Sequence, residues 1–533
     1  MTISKLFDLI HSEEWEAVRD FLNHEDDLKM RNRYISWQNE SGWNSLFEAS
    51  SKKAPDKVIQ ALIDAGGKEL VIQQDEDGNS ALHIALRHGA SFHVIKYMID
   101  CGGRDLVMIQ NEAEITALYD AAAQLASIDV FQLLLDTGGK DLLLIQDCNK
   151  GTALHCVVTN EHSVDVEVVK LFIDCGGEEL VLMQDHEGLT AIGAHCKVGL
   201  SSLEIAKVLV NVGGKALLLQ DDSEGNTPLH YIACNESVDI DTLSFFLQVG
   251  GKELVLHQNI DGNNALHASC SCQEREDIVK RLIEIGGKDL ILMENNDGLT
   301  SLQMACSNLG NEGVIQLLIQ SGGTELLMKQ CADLCTALHY AVSSENPNPK
   351  IVRMLIESGG KELVMKSDMD GFTALHTICD DGQVNYDIVK ILIDCGGQEL
   401  LLKQTLENAN TALHHICTNE ENKNYEVVKL LIQSGGKKLV LQQDSSGGTC
   451  LHDVCENGMD DFEVVEMMVQ SGGKDLIQTR NKNGDCATTF DSKFKDFLLA
   501  ALPTEPTEEK IGRGLKRRKE SNSNEVITSK KSK

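Results

Sequence analysis

A series of twelve Gly-Gly doublets, each closing an apolar run, punctuates the chain from Gly66-Gly67 and Gly102-Gly103 through Gly176-Gly177 to Gly435-Gly436 and Gly472-Gly473. They recur roughly every 37 residues, a period that marks a stacked repeat array. In such an array one unit cannot bury its apolar faces alone. It buries them against its neighbours, and the chain grows by addition without a central core. A length of 533 residues therefore does not imply three or four separate globular domains.

One unit, Asp147 to Asp185, shows the local grammar. Thr152 precedes Ala153-Leu154-His155 and an apolar run, and a threonine hydroxyl there can cap a helix. A helix of about two turns is expected from Thr152 to the Asn160 region, then a polar turn from Asn160 to Ser163. Val168, Val169, Leu171, Phe172 and Ile173 supply the stripe of a second helix. Gly176-Gly177 is expected to stop it, since glycine accepts left-handed dihedrals after a helix. Glu178 to Met183 is short and apolar and reads as one further helical turn rather than an extended piece. Asp185 to Gly188 is a tight turn that hands over to the next threonine.

The helix-opening tetrapeptide recurs as Ser80-Ala81-Leu82-His83, Thr227-Pro228-Leu229-His230, Asn264-Ala265-Leu266-His267, Thr336-Ala337-Leu338-His339, Thr373-Ala374-Leu375-His376, Thr411-Ala412-Leu413-His414 and Thr449-Cys450-Leu451-His452, among others. Asn44-Ser45-Leu46-Phe47 and Thr190-Ala191-Ile192-Gly193 are weaker copies. The pattern resembles the ankyrin repeat and its T-P-L-H-x-A signature from about Trp37 to Cys486, most of the chain. Two departures are consistent. Alanine mostly replaces proline, and the unit exceeds the family's 33 residues by about four, chiefly through a Lys-Glu-Leu-Val insertion after Gly-Gly.

The resemblance implies an all-α, ankyrin-like helical solenoid of about twelve stacked helix-turn-helix repeats. Residues 1–34 are expected as an N-terminal helical cap and 35–485 as the array. Residues 486–502 are expected as a C-terminal cap helix with Phe490, Phe494, Phe497 and Leu498 at helical spacing. Residues 503–533, charged and poor in apolar side chains, are expected as a disordered basic tail.

Charge narrows the partners. The net charge is -34, yet the segment from Lys510 to Lys533 holds nine Lys or Arg against Glu520 and Glu525. That tail is +7, which leaves -41 for the rest, a surface that repels nucleic acid. Glu13, Glu14 and Glu16 interrupt any secretory signal, and no apolar run reaches the ~20 residues that cross a bilayer. The reading is an intracellular, soluble protein without membrane contact, its 17 cysteines reduced.

Two histidine and cysteine columns carry residue types capable of chemistry. His267 and Cys270, His376 and Cys379, His414 and Cys417, and His452 and Cys455 stand three apart on a helix, a spacing that can bring two ligands to one ion. The cysteine column also holds Ser50 and Ala233, so it reads as a small-residue column where helices approach closely. By resemblance, the histidine and its threonine bond backbone across adjacent turns. Cys331 and Cys335 bracket a turn without a second pair at ligand spacing. Gly-Gly-Lys is not a phosphate loop, because Lys140 and Lys361 are followed by an acid and preceded by a helix. No cofactor, metal or catalytic residue is called for.

The function expected is a non-catalytic protein-protein interaction scaffold or adaptor with an elongated, acidic, concave surface, suited to basic segments of other proteins. By resemblance, partners touch the turn tips and the exposed face of the first helix. The candidate column is the residue after the turn glycine: Asn79, Leu189, Asn226, Asn263, Leu299 and Phe372, of which Leu299 and Phe372 are the sharpest. Lys516, Arg517, Arg518 and Lys519 form a candidate nuclear-import address for an import receptor. The alternatives are a nuclear regulatory adaptor acting on chromatin or transcription proteins, and a metal protein or enzyme built on the His and Cys columns.

Overall fold

A computed structural model of the protein describes residues 4–24, 33–160, 164–200, 202–272, 275–308, 310–380, 384–419, 424–457, 461–490 and 492–502. The expected tail, 503–533, and its import candidates lie outside the described residues. The chain divides into two units, residues 1–332 and 333–533.

In the first unit, helices Lys5–His11 and Trp15–His24 bury Leu6, Ile10, Val18 and Leu22, as expected of an amphipathic end piece. The Phe7 ring meets Trp37 edge-on at 5.5 Å, and Phe21 meets Tyr34 at 5.4 Å. Eight pairs of a short and a long helix follow, from Ser45–Ser51 with Asp56–Val71 to Ser301–Ser307 with Glu312–Leu327. The second unit holds four more pairs, from Ala337–Ser343 with Pro349–Val364 to Cys450–Asn457 with Phe462–Gln478. All twelve expected pairs are therefore present.

Each short helix begins where the tetrapeptide predicts. Thr152, Thr227, Thr336 and Thr411 sit in extended conformation at the N-cap. The leucine that follows two residues later is fully buried in every such helix, Leu154, Leu229, Leu338 and Leu413 among them. Like helices of successive repeats stack, and their stripes close the core. Phe131 and Phe172, for example, meet edge-on at 5.3 Å. Each buried aliphatic side chain contributes about 1.5–3 kcal/mol against water.

The glycine doublet stops the long helix, as expected. Within Val166–Val181 the backbone leaves helical dihedrals at Gly177 (φ 68, ψ -158) and a separate helical turn follows; in the third repeat Gly139 divides Ile128–Gly138 from Lys140–Leu143. That backbone is not the left-handed helical cap but a region open only to glycine. The two glycines have separate reasons. A Cβ on Gly176 would lie 2.6 Å from Leu180 Cδ2, while one on Gly177 would meet nothing within 4 Å. The first makes room for the leucine that folds back from the insertion; the second turns the chain. Leu180 and Val181 are thereby buried, so the inserted segment is the helical turn that was expected.

The C-terminal cap is shorter than expected. Residues Ala487–Thr489 form a single tight turn and only Lys495–Ala501 is α-helical. Phe494 is its N-cap residue and packs edge-on against Phe462 at 4.8 Å. Phe490 precedes the helix and lies 6.1 Å from the His452 ring.

Candidate functional site

The candidate surface is built from the turns that join each long helix to the next short one. In the turn Asp185–Gly188, Asp185 Oδ1 accepts the amides of Glu187 and Leu189, each at 2.9 Å. Asp75, Asp222, Asn259, Asn295 and Asp368 do the same in their turns, which explains the Asp or Asn at that position. Neighbouring turns are then tied edge to edge. The Ser223 amide donates to Glu187 O at 2.7 Å, Ile260 to Glu224 O at 3.0 Å, and Leu406 to Asp370 O at 2.9 Å.

A second tie runs through the tetrapeptide histidine. The Thr152 amide donates to His155 Nδ1 at 3.2 Å. An amide can only donate, so Nδ1 accepts and the proton sits on Nε2. Nε2 donates to Leu189 O at 3.1 Å in the next repeat. His230 reaches Asn263 O, His267 reaches Leu299 O and His339 reaches Phe372 O in the same way. Burial holds these rings neutral: His83, His230, His267, His376 and His414 are pushed down to about 4. Both nitrogens of His267 and His376 are engaged in the fold, and Cys270 and Cys379 beside them are fully buried. Among the described residues, no group of three or more His, Cys, Asp or Glu is placed to share an ion.

This geometry relocates the candidate column. The residue after the turn glycine is not at the exposed tip, because its amide bonds the turn Asp or Asn and its carbonyl commonly receives the histidine. Asn79 and Leu189 are buried, each 4% exposed, and Asn226, Asn263, Leu299 and Phe372 are half-buried. The asparagines form a ladder of their own: Asn111 Nδ2 donates to Asn79 Oδ1 at 2.8 Å, Asn259 to Asn226 at 2.9 Å and Asn295 to Asn263 at 3.0 Å. The Phe372 ring folds onto the next repeat, 4.7 Å from the His415 ring.

The exposed tip lies three residues before this column at Ile260 and Met369, and four residues before Asn410 at Leu406 in a turn one residue longer; the three are 65%, 55% and 74% exposed. Sequence reading missed them because it chose the column by its distance from the glycine, and the glycine lies on the return side of the turn. On the adjoining face of the short helices, charged side chains pair between repeats. Arg87 Nε lies 2.7 Å from Asp120 Oδ1, and His415 Nδ1 lies 2.9 Å from Asp380 Oδ1. Asp453 on the same face is pushed up to about 8 by burial and by Asp444 and Glu456.

The Lys-Glu insertion builds a further ladder. Lys68 Nζ lies 2.6 Å from Asp105 Oδ2, one repeat on. Arg104 pairs with Asp141, Lys140 with Glu179, Lys215 with Glu253, Lys252 with Asp289, Lys361 with Glu399 and Lys437 with Asp475. Where Glu178 takes the basic position, Ala216 takes the acidic position ahead of it. Where Gln398 takes it, Lys438 stands ahead, and Gln398 Nε2 donates to Ser434 O instead. These pairs are exposed and screened by solvent, so they tune register more than stability.

Residues 239–330, 323–404 and 385–480 each match the family described as ankyrin repeats (3 copies), and residues 46–99 match ankyrin repeats (many copies). The chain is an ankyrin-repeat protein. Ankyrin repeats mediate binding to other proteins, and the fold is typically a non-enzymatic interaction module. Among solved structures, the ankyrin repeat domain of Bcl-3, described as a unique member of the IkappaB protein family, is 25% identical. That match covers 45% of this ankyrin-repeat chain and 99% of the other, with a TM-score of 0.38. The ankyrin repeat protein EF0377 is 23% identical over 40% of this chain and 99% of its own, with a TM-score of 0.34. Comparison with curated proteins gave no match. No described helix is long and apolar enough to cross a membrane.

Proposed function

We propose that this ankyrin-repeat protein is a non-catalytic adaptor that binds a basic, partly apolar segment of another protein at its turn tips. The observation that carries this is the pair Met369 and Leu406. They are exposed apolar side chains on adjacent tips, with Asp370 and Glu407 next to them in sequence. The bond from the Leu406 amide to Asp370 O fixes the two tips side by side before any partner arrives. A rigid apolar pair with carboxylates at its edge suits an apolar side chain flanked by Lys or Arg. Phe372, three residues after Met369, is half-buried with its ring 4.7 Å from that of His415.

The test compares proximity labelling in cells with the wild-type chain and with Met369→Asp, Leu406→Asp. Equal helix content by circular dichroism in both would show that the fold is kept. Loss of a discrete set of labelled proteins is expected; an unchanged set would reject the tip as the contact.

A second observation favours a nuclear compartment for this adaptor. Lys516, Arg517, Arg518 and Lys519 are contiguous, with Lys530 and Lys531 behind them, a charge density that import receptors read. Replacing the four by alanine should abolish nuclear accumulation of a fluorescent fusion. Unchanged distribution would remove the compartment and leave the adaptor reading intact.

A further inference from the structure

Two cysteines from successive repeats meet at the ends of their short helices. Cys234 is the last residue of helix Pro228–Cys234, and Cys272 follows helix Ala265–Ser271 as its C-cap. One carbonyl brings them together. Ala268 O accepts the Cys234 thiol at 3.3 Å and the Cys272 amide at 3.2 Å. The two side chains are near enough to perturb one another's ionisation. Cys272 is exposed and Cys234 is partly so.

We propose that Cys234 and Cys272 are a peroxide-responsive thiol pair that closes to a disulfide and ties two successive ankyrin repeats together. Cys272 is the exposed member of the pair, while the Cys234 thiol is engaged with Ala268 O, so Cys272 is the attacking group. Its thiolate takes an oxygen from hydrogen peroxide, giving Cys272 sulfenic acid and hydroxide. The Cys234 thiol then attacks the Cys272 sulfur. The S–S bond forms, the S–O bond breaks, and water leaves with the Cys234 proton. The hydroxide takes a proton from solvent, so two thiols and one peroxide give one disulfide and two waters. The peroxide is the oxidant; a thiol reductant reverses the step.

The charge environment supports this order. The neighbouring thiol draws Cys272 down and, together with burial, pushes Cys234 up. Burial also pushes up Cys196, Cys379, Cys417 and Cys450, which keeps them protonated and slow. Cys148, exposed, and Cys486, which bonds the Thr488 and Thr489 hydroxyls, are the internal references.

The experiment uses the full chain, reduced and then exposed to one equivalent of hydrogen peroxide at pH 7. Alkylation under denaturing conditions and peptide mapping follow. The expected product is a crosslink between the Cys234 and Cys272 peptides, formed at least tenfold faster than Cys148 is oxidised and reversed by dithiothreitol. In Cys234→Ser, Cys272 should instead accumulate as a sulfenic acid trapped by dimedone. The wild-type comparison stands even if that variant folds poorly. Cys272 oxidising no faster than Cys148, or a Cys272 sulfenic acid that persists in wild type without the crosslink, would overturn the proposal.

Discussion

His339 donates from Nε2 to the carbonyl oxygen of Phe372, 3.1 Å away and one repeat later. Its other nitrogen accepts the Thr336 amide at 3.1 Å, so a single ring caps its own helix and pins the next turn. Losing the ring leaves the buried Thr336 amide unpaired, at about 1–3 kcal/mol, while the Phe372 carbonyl keeps the Asp368 amide at 2.9 Å. His339→Ala should therefore destabilise the second unit, measured by urea unfolding. The chain itself shows the remedy. At Gln303, Oε1 accepts the Thr300 amide at 2.7 Å and Nε2 donates to Lys329 O at 3.5 Å. His339→Gln should recover at least half of the loss. Equal loss in both variants would show that ring packing, not the two bonds, is what matters.

The same rings predict acid sensitivity. Each neutral ring falls from 6.5 to about 4 in the fold, so the unfolded chain binds more protons between those values. Their contribution is fully present above about pH 6.5 and is lost as pH falls towards 4, at about 1.4 kcal/mol per pH unit per ring. Asp453 and Asp120, both raised by burial, act in the opposite sense but are fewer. Melting temperature should drop steeply from pH 6.5 to pH 4.5. A flat profile over that range would contradict neutral buried histidines.

The glycine doublet predicts two distinguishable failures. Gly177→Ala places a side chain in a glycine-only backbone region, costing about 1–3 kcal/mol, and Gly177→Asn should be no better because ψ is far from the left-handed helix. Gly176→Ala costs a similar amount, about 1–3 kcal/mol, but by crowding Leu180. Adding Leu180→Ala should be partly compensating in the Gly176 background and roughly additive in the Gly177 background. Thermal denaturation of the four combinations would decide it; the same coupling in both would merge the two roles.

Leu375 is fully buried in the short helix Ala374–Asp380. Leu375→Ala should cost about 2–5 kcal/mol by truncating the core. In a nearest-neighbour array, hydrogen exchange should quicken in the helices flanking Ala374–Asp380 and less at Leu451. Uniform loss of protection to Leu451 would indicate one global unfolding unit.

Helix pairs were legible because apolar period, N-cap residue and tetrapeptide all point the same way at each repeat. The inserted helical turn was legible from its leucine and valine. The glycine stop was legible too, but not its conformation: Gly177 shares a positive φ with a left-handed cap and differs from it in ψ. The inward placing of the candidate column was not legible, because it comes from bonds between the Leu189 amide and Asp185 and between His155 and the Leu189 carbonyl. The ion ladder needs the repeats superposed before Lys68 and Asp105 are seen to face one another. Cys234 and Cys272 fall in different columns, four and five residues after His230 and His267, so no column contains the pair.

The bonds that join one turn to the next use much the same atoms at each joint: an amide at the tip, a carbonyl on the turn before, a histidine Nε2 across. A joint therefore carries little memory of which two copies it joins. Excising residues 153–190 would splice Thr152 to Ala191 and leave the tetrapeptide frame intact, with Thr152 capping the helix that Thr190 now caps. Copy number is thus a free variable for this gene product. Recombination between misaligned repeats can lengthen or shorten it by whole units, and each new junction is met by contacts the protein already makes elsewhere.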